Sequence, residues 1–385
     1  GYFMCDLFLK NAQIYQDGVF VNTTVTVVAG KIDSLGEDNH DHLFVVDAAD
    51  NFVIPGFIDL HTHGAIGIDC NEATAGDFRR LCLYFAGQGT TAWLCSIAAD
   101  SEEHTIKALS EAADAIEQGG PGAELLGIHL EGPFVSQTYR ATFQAPYVLE
   151  GNEALLRRYQ DVARGHIRSI TVAPEVPGVM ELIPICETLG IRVCLGHSNA
   201  TWREAMDARE AGALCVTHLG NAMRPLHHRE PGLMGAALET DFYTELICDG
   251  VHLHPAFVRL VDRLKGTDRL IAVTDSMMAT GLGDGDYKLG SRQVRVTDGQ
   301  SRRENGALAG STLTMHGALC NLRTFTGKTL QELLACVSGN AARWLGVDDR
   351  KGAIATGMDA DLLILGKDLG LLDIFCKGER IAKNL

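Results

Sequence analysis

The sequence predicts an α/β fold: a (β/α)8 TIM barrel flanked by a small β-sandwich domain that both chain termini build together. Three observations carry that expectation. From Phe57 onward, short apolar runs recur roughly every 25 to 40 residues, each followed by polar residues and a helix-length segment, as in a parallel sheet with crossover helices. The runs number eight, the strand count of the barrel. The two ends read differently, because residues 5–54 and those after 350 alternate in short extended stretches broken by glycine turns. The expected division is residues 1–54 with 351–385 for the sandwich and 55–350 for the barrel.

Taken in order, the expected barrel strands are Phe57–Leu60, Thr90–Ser96, Leu125–Leu130, Ser169–Val172, Arg192–Leu195, Leu214–Thr217, Glu245–Cys248 and Leu270–Thr274. Helical apolar spacing places crossover helices at Ala75–Gly87, Glu102–Gly119 and Thr201–Gly212, the last stopped by Ala211-Gly212. In the sandwich, Leu7–Leu9 and Thr24–Val28 are strands with turns at Gly18 and Gly30, and Leu362–Leu365 and Ile374–Cys376 repeat the pattern. A chain of 385 residues is long enough for both units.

Composition removes whole classes of function. A net charge of −16 leaves no basic face for nucleic acid, although one local positive pocket suffices for a small phosphorylated substrate. The eleven cysteines lack CxxC spacing and sit in apolar runs such as Val193-Cys194 and Ile247-Cys248, which marks them as buried reduced thiols. No 18-residue apolar run and no signal peptide is visible, so the expected setting is the cytoplasm with no membrane partner.

A barrel presents its chemistry where strands end and βα loops begin. The first strand runs into His61-Thr62-His63, and residues two apart on a strand face the same side, so both imidazoles can reach one ion. The third strand ends at Glu131, the fifth at His197, the sixth at His218 and the eighth at Asp275. Singly, each histidine is more often structural than ligating; together, four imidazoles and two carboxylates converge once the barrel closes. Imidazole and carboxylate donors suit a divalent ion, Zn²⁺, Fe²⁺, Mn²⁺ or Co²⁺. Such a site lowers the pKa of bound water towards ~7 and polarises a carbonyl. Asp275 is then the expected general base and, on return of the proton, the general acid for a leaving amine.

Pro-Gly-Phe-Ile-Asp-Leu-His-Thr-His-Gly at 55–64 resembles the opening of the amidohydrolase superfamily. His-Leu-Glu-Gly-Pro-Phe at 129–134, Gly-His-Ser-Asn-Ala-Thr at 196–201 and Asn-Ala-Met-Arg-Pro-Leu-His-His-Arg-Glu-Pro-Gly at 221–232 resemble, more narrowly, the N-acetylglucosamine-6-phosphate deacetylase family. Asp-Gly-Val-His at 249–252, Thr-Asp-Ser at 274–276 and Leu-Ala-Gly-Ser-Thr-Leu-Thr-Met at 308–315 continue the resemblance in order. It implies a metal-dependent hydrolase, a homodimer, that removes acetate from an N-acetylated amino-sugar 6-phosphate. By motif it implies Glu131, His197 and His218 as ligands of a main metal, and His61, His63, Glu131 and Asp275 as a second site sharing Glu131. It further implies a phosphate pocket of Asn221, Ala222, Arg229 and His252, with Leu308 beside the acetyl group. A guanidinium fork and imidazole donors suit phosphate oxygens. The bland alternative for Arg229 is a surface ion pair with Glu230, and of the adjacent His227 and His228 at most one should point inward.

One departure stands out. Where the family carries a substrate-binding histidine that polarises the amide carbonyl, this chain has Phe143, within Ala141-Thr142-Phe143-Gln144-Ala145. A phenyl ring cannot donate to a developing oxyanion, a contribution of about 2.7–4 kcal/mol. Gln144, Tyr139 or Arg140 is then a candidate substitute, Gly220 opens space where an aromatic is frequent, and the rival substrates are another epimer, such as N-acetylgalactosamine 6-phosphate, or another acyl group. A further alternative is a sugar-phosphate-binding protein with weakened catalysis.

Overall fold

In the computed structural model, which describes residues 6–38, 41 and 43–383, eight strands follow one another around a single sheet in sequence order. They are Phe57–Thr62, Thr90–Ala98, Glu124–Glu131, Ile167–Val172, Arg192–Leu195, Cys215–Val216, Tyr243–Ile247 and Leu270–Val273, and every neighbouring pair is parallel. The helices Ala75–Gly87, Glu102–Gln118 and Trp202–Ala211 lie where apolar spacing puts them, two of them opened by capping boxes at Thr74 and Thr201. The sixth strand is shorter than expected, because Leu214 faces solvent and the chain turns after Thr217.

Alternation along the strands sorts the side chains into two sets. Trp93, Cys95, Ile128, Leu130, Ile170, Val172 and Leu195 point outward into the layer under the helices. Ile58, Leu60, Leu94, Cys194, Cys215, Ile247, Ile271 and Val273 fill the barrel interior. The inward positions above that apolar floor are polar: Ser96, His129, Glu131, Thr171, Thr217 and Asp275 are all buried. The barrel is therefore a packed plug whose upper layer holds ionisable groups.

Closure between the first and eighth strands runs through that upper layer. Asp275 N donates to His61 O at 2.8 Å and His63 N donates to Ser276 O at 2.8 Å. Asp59 supports the seam from below, its carboxylate accepting from the Thr274 hydroxyl at 2.5 Å and from His61 N at 3.2 Å; burial pushes its pKa up to about 6.

The chain ends join in one seven-stranded sheet, in the order Glu379–Arg380, Leu371–Cys376, Leu362–Leu365, Phe44–Pro55, Leu7–Gln16, Val19–Val28, Lys31–Leu35. A bulge between Leu9 and Ala12 bends it, and Leu9, Ile14, Val25, Val53, Leu362 and Phe375 share its separate core. Residues 1–5, 39–40, 42 and 384–385 of the expected end segments lie outside the described residues. An ion cluster fastens this sheet to the barrel. Lys351 Nζ, almost wholly buried, lies 2.7 Å from Asp361, 2.9 Å from Asp359 and 3.0 Å from Glu124 at the start of the third barrel strand. Arg350 adds contacts to Glu124 and Asp359 at 2.6 and 2.8 Å.

One element went unforeseen. After the eighth strand a three-stranded antiparallel sheet, Gly285–Leu289, Arg292–Thr297 and Gln300–Arg302, stands over the barrel mouth on its own cluster of Met277, Leu289, Val294, Val296 and Ala309. Its outward residues are charged, so the stretch reads as loop in sequence.

Candidate metal centre

The turns after the strands aim the donors inward. His197, His218 and Asp275 have φ of 46°, 27° and 47°, left-handed values that non-glycine residues adopt at a cost and that tend to occur at functional positions.

All six expected ligands meet. Glu131 is central: Oε1 lies 2.9 Å from His197 Nε2 and 3.1 Å from His218 Nε2, while Oε2 lies 2.9 Å from His63 Nε2. Oε1 also lies 3.5 Å from His61 Nε2, so one carboxylate approaches all four imidazoles. Asp275 Oδ1 lies 3.3 Å from His61 Nε2 and 3.2 Å from His63 Nε2. The donor atoms form two buried triads, His61 with His63 and Asp275, and Glu131 with His197 and His218, each with all atoms within 4.8 Å.

The donor set fits divalent cations. His61 Nε2 is buried without a hydrogen-bond partner among the described residues, although carboxylate oxygens of Asp275 and Glu131 lie at 3.3 and 3.5 Å. Burial alone would raise the Asp275 carboxyl, but His61 and His63 outweigh it and hold it at about 2. Burial alone would lower the His63 imidazole, yet Asp275 and Glu131 raise it to about 10. The carboxylates hold protons on these imidazoles, and a cation attracted by the same negative charge would displace them to reach the nitrogen lone pairs. Removing one arm tests the assignment: His61→Ala should lower metal stoichiometry by elemental analysis, and unchanged occupancy would refute the second site.

His129 is buried in the same layer but is not part of the ligand set. Its ring nitrogens lie 2.8 Å from Ser96 Oγ and 2.7 Å from Thr171 Oγ1, and burial with the neighbouring His61 keeps it neutral. Glu245 was overlooked as a site residue. It faces the barrel interior from the seventh strand, with Oε1 3.0 Å from His61 Nδ1, and a carboxylate within the apolar run Leu246-Ile247-Cys248 was the available signal.

Around the metal ligands the outcome divides. His252 and Leu308 line one cavity of about 290 Å³ with Gly310 and Ser311, and Ser311 N donates to Asp275 O at 2.7 Å. Asn221 and Ala222 sit half-buried just after His218, and Ala222 O accepts from Ser198 N. Arg229 is exposed, with its guanidinium 2.8 Å from His228 Nε2. Its supposed partner Glu230 instead accepts from Trp202 N at the start of a helix, so the simple ion-pair reading fails. His227 and His228 are both exposed, and neither points inward.

Phe143 is buried and stacks on the His197 ring, centroids 4.6 Å apart at 29°, while Tyr139 O accepts from His197 Nδ1 at 2.8 Å. The phenyl therefore packs against His197 instead of offering a donor. Gln144 is not its substitute, because its amide donates to Ser291 Oγ at 2.7 Å in the three-stranded insertion. Arg140 donates to Gln137 O on its own loop.

Comparison with known proteins agrees with this geometry. The amidohydrolase family model matches residues 52–381. The chain is 37% identical over 380 residues to the N-acetylglucosamine-6-phosphate deacetylase of Bacillus subtilis (strain 168), covering 97% of this chain and 96% of that protein. It is 35% identical over 326 residues to the N-acetylgalactosamine-6-phosphate deacetylase of Escherichia coli O157:H7, covering 84% and 86%. The crystal structure of N-acetylglucosamine-6-phosphate deacetylase from Pasteurella multocida superposes with a TM-score of 0.92 at 31% identity, covering 97% of this chain and 99% of that one. The chain accordingly belongs to the amidohydrolase family, within the group of the N-acetylglucosamine-6-phosphate deacetylases.

Proposed function

We propose that the protein hydrolyses the acetamide of an N-acetylated amino-sugar 6-phosphate, N-acetylglucosamine 6-phosphate first, giving acetate and the amino-sugar 6-phosphate. The observation that carries this reading is the placement of Asp275, which faces both His61 and His63 and whose main-chain carbonyl accepts from Ser311, a residue lining the cavity with His252 and Leu308. A bound divalent cation, Zn²⁺ first, supplies Lewis-acid polarisation and acidifies water. Asp275 accepts the proton of the attacking water as oxygen adds to the acyl carbon, then delivers it to the amine nitrogen as the C–N bond breaks. Glu131 spaces the two histidine pairs, and His252 is the proposed phosphate donor with Asn221, Ala222 and Arg229.

A second reading keeps the chemistry and changes the sugar epimer or the acyl group. Phe143 favours it, since no donor stands at that position, and one relative acts on the galacto epimer. A kinetic panel of metal-loaded enzyme on the N-acetylated gluco-, galacto- and mannosamine 6-phosphates with N-formyl analogues separates the readings; turnover of none of them would sink both. Phe143→His should raise deacetylation by restoring a donor, and an unchanged kcat would mean that another group already serves the oxyanion.

The ten described cysteines are free and nine are buried, which supports a reducing, cytoplasmic setting. No helix among the described residues is long and apolar enough to cross a membrane. Leu260 and Leu264, exposed four residues apart on one helix, support the homodimer, which light scattering checks.

A further inference from the structure

Glu245 has no role in the reaction as described, yet it is a carboxylate placed on the interior of the barrel, 2% exposed, among Cys194, Cys215 and Ile247. Taking a charge into such surroundings costs several kcal/mol unless partners offset it. The partners are specific. Oε1 lies 3.0 Å from His61 Nδ1 and also accepts from the main-chain N–H of His218 at 3.3 Å. His61 and His218 belong one to each triad of donors, so a single oxygen touches both halves of the centre.

A neutral imidazole, the form that binds a metal, carries its lone pair on Nε2 when it donates Nδ1–H to a carboxylate. In His61 that Nε2 is the atom without a hydrogen-bond partner, beside the carboxylate oxygens of Asp275 and Glu131. The Ser96–His129–Thr171 chain next to it, with the His129 ring 4.7 Å from His61, has both nitrogens engaged and cannot take over this function. We infer that Glu245 is a positioning residue: it fixes the tautomer and tilt of His61, makes its Nε2 a stronger donor toward the second cation, and anchors the backbone from which His218 serves the first. The inference rests on the two-cation reading of the centre.

Glutamine is the decisive replacement, since Glu245→Gln keeps the length and one accepting oxygen and removes the charge. Stepwise Co²⁺ titration of the metal-free full-length chain, followed by visible absorption and a competing chelator, reads the two affinities separately. Glu245→Gln should weaken the second Co²⁺ by about 10–100-fold and leave the first near wild type. Glu245→Leu should abolish the second. Wild-type affinity for both ions in Glu245→Gln, while His61→Ala still loses one, would overturn the positioning role alone. Wild-type stoichiometry in His61→Ala would overturn the two-cation reading and this inference with it. A strong near-ultraviolet sulfur-to-cobalt band, absent in Cys215→Ala, would place the ion on Cys194, Cys215 and Glu245 and also overturn it. If Glu245→Leu fails to fold, the glutamine variant decides.

Discussion

Asp275→Asn should lower kcat by about 10²–10⁴-fold, the usual contribution of a positioned general acid–base. Asparagine tolerates the left-handed backbone at this position and leaves intact the main-chain bonds to His61 and Ser311, so the seam of the barrel should persist. What is lost is the capacity to hold a proton between the water and the amine. The defect should therefore fall on kcat, with the melting temperature and the content of the Glu131–His197–His218 site near wild type. Steady-state kinetics with parallel metal analysis checks it, and a kcat close to wild type would remove Asp275 from proton transfer.

Lys351→Met should cost about 3–5 kcal/mol of stability, the range for breaking a buried ion pair from one side. The methionine fills the space but strands Asp359, Asp361 and Glu124 around an apolar stem. The acid limb of the stability profile should change as well. In the native protein burial works against the Asp359 carboxylate, but Lys31, Lys351 and Arg350 hold it at about 2, and Glu124 is held well below its ordinary value by Arg350, Lys351 and Lys377. A carboxyl with a lowered folded pKa contributes stability that is present above its unfolded value near 4 and is lost as pH falls through the folded one. Wild type should thus lose this contribution between about pH 4 and pH 2. In Lys351→Met that loss should shrink in part, since Asp361 loses its cation while Asp359 and Glu124 keep Lys31, Arg350 and Lys377. Thermal melts across this range test both parts, and superimposable acid limbs would show that the cluster does not couple barrel to sheet.

The barrel was legible because its strands are buried on both faces and appear as compact apolar runs, and the cluster of imidazoles and carboxylates was legible because its members fall where those runs stop. The same rule hid the rest. Strands such as Gly285–Leu289 and Arg292–Thr297 lie on the surface with Asp286, Lys288, Gln293 and Arg295 facing water, so no apolar run marks them. Glu245 escapes notice because the apolar run begins only after it, whereas the strand starts at Tyr243 and leaves the carboxylate in its interior. The partner of Gln144 could not be foreseen either: Ser291 is far along the chain and reaches it only through the insertion. Phe143 stands out by its chemistry, but its contact with His197 depends on how the 137–145 loop folds back, which local pattern does not encode.

The seven-stranded sheet also bears on how the polypeptide acquires its shape. Phe44–Pro55 pairs on one side with Leu7–Gln16, an early and local event, and on the other with Leu362–Leu365, which ribosomes deliver only after the entire barrel. Until then Phe52, Val53 and Ile54 lie on an open edge, and such edges recruit other chains. Pairing across so long a sequence separation is slow. A nascent or C-terminally clipped chain would thus carry a finished catalytic barrel and a sticky margin together, so aggregation during synthesis, more than loss of activity, should be the first symptom of a defect in the last strands.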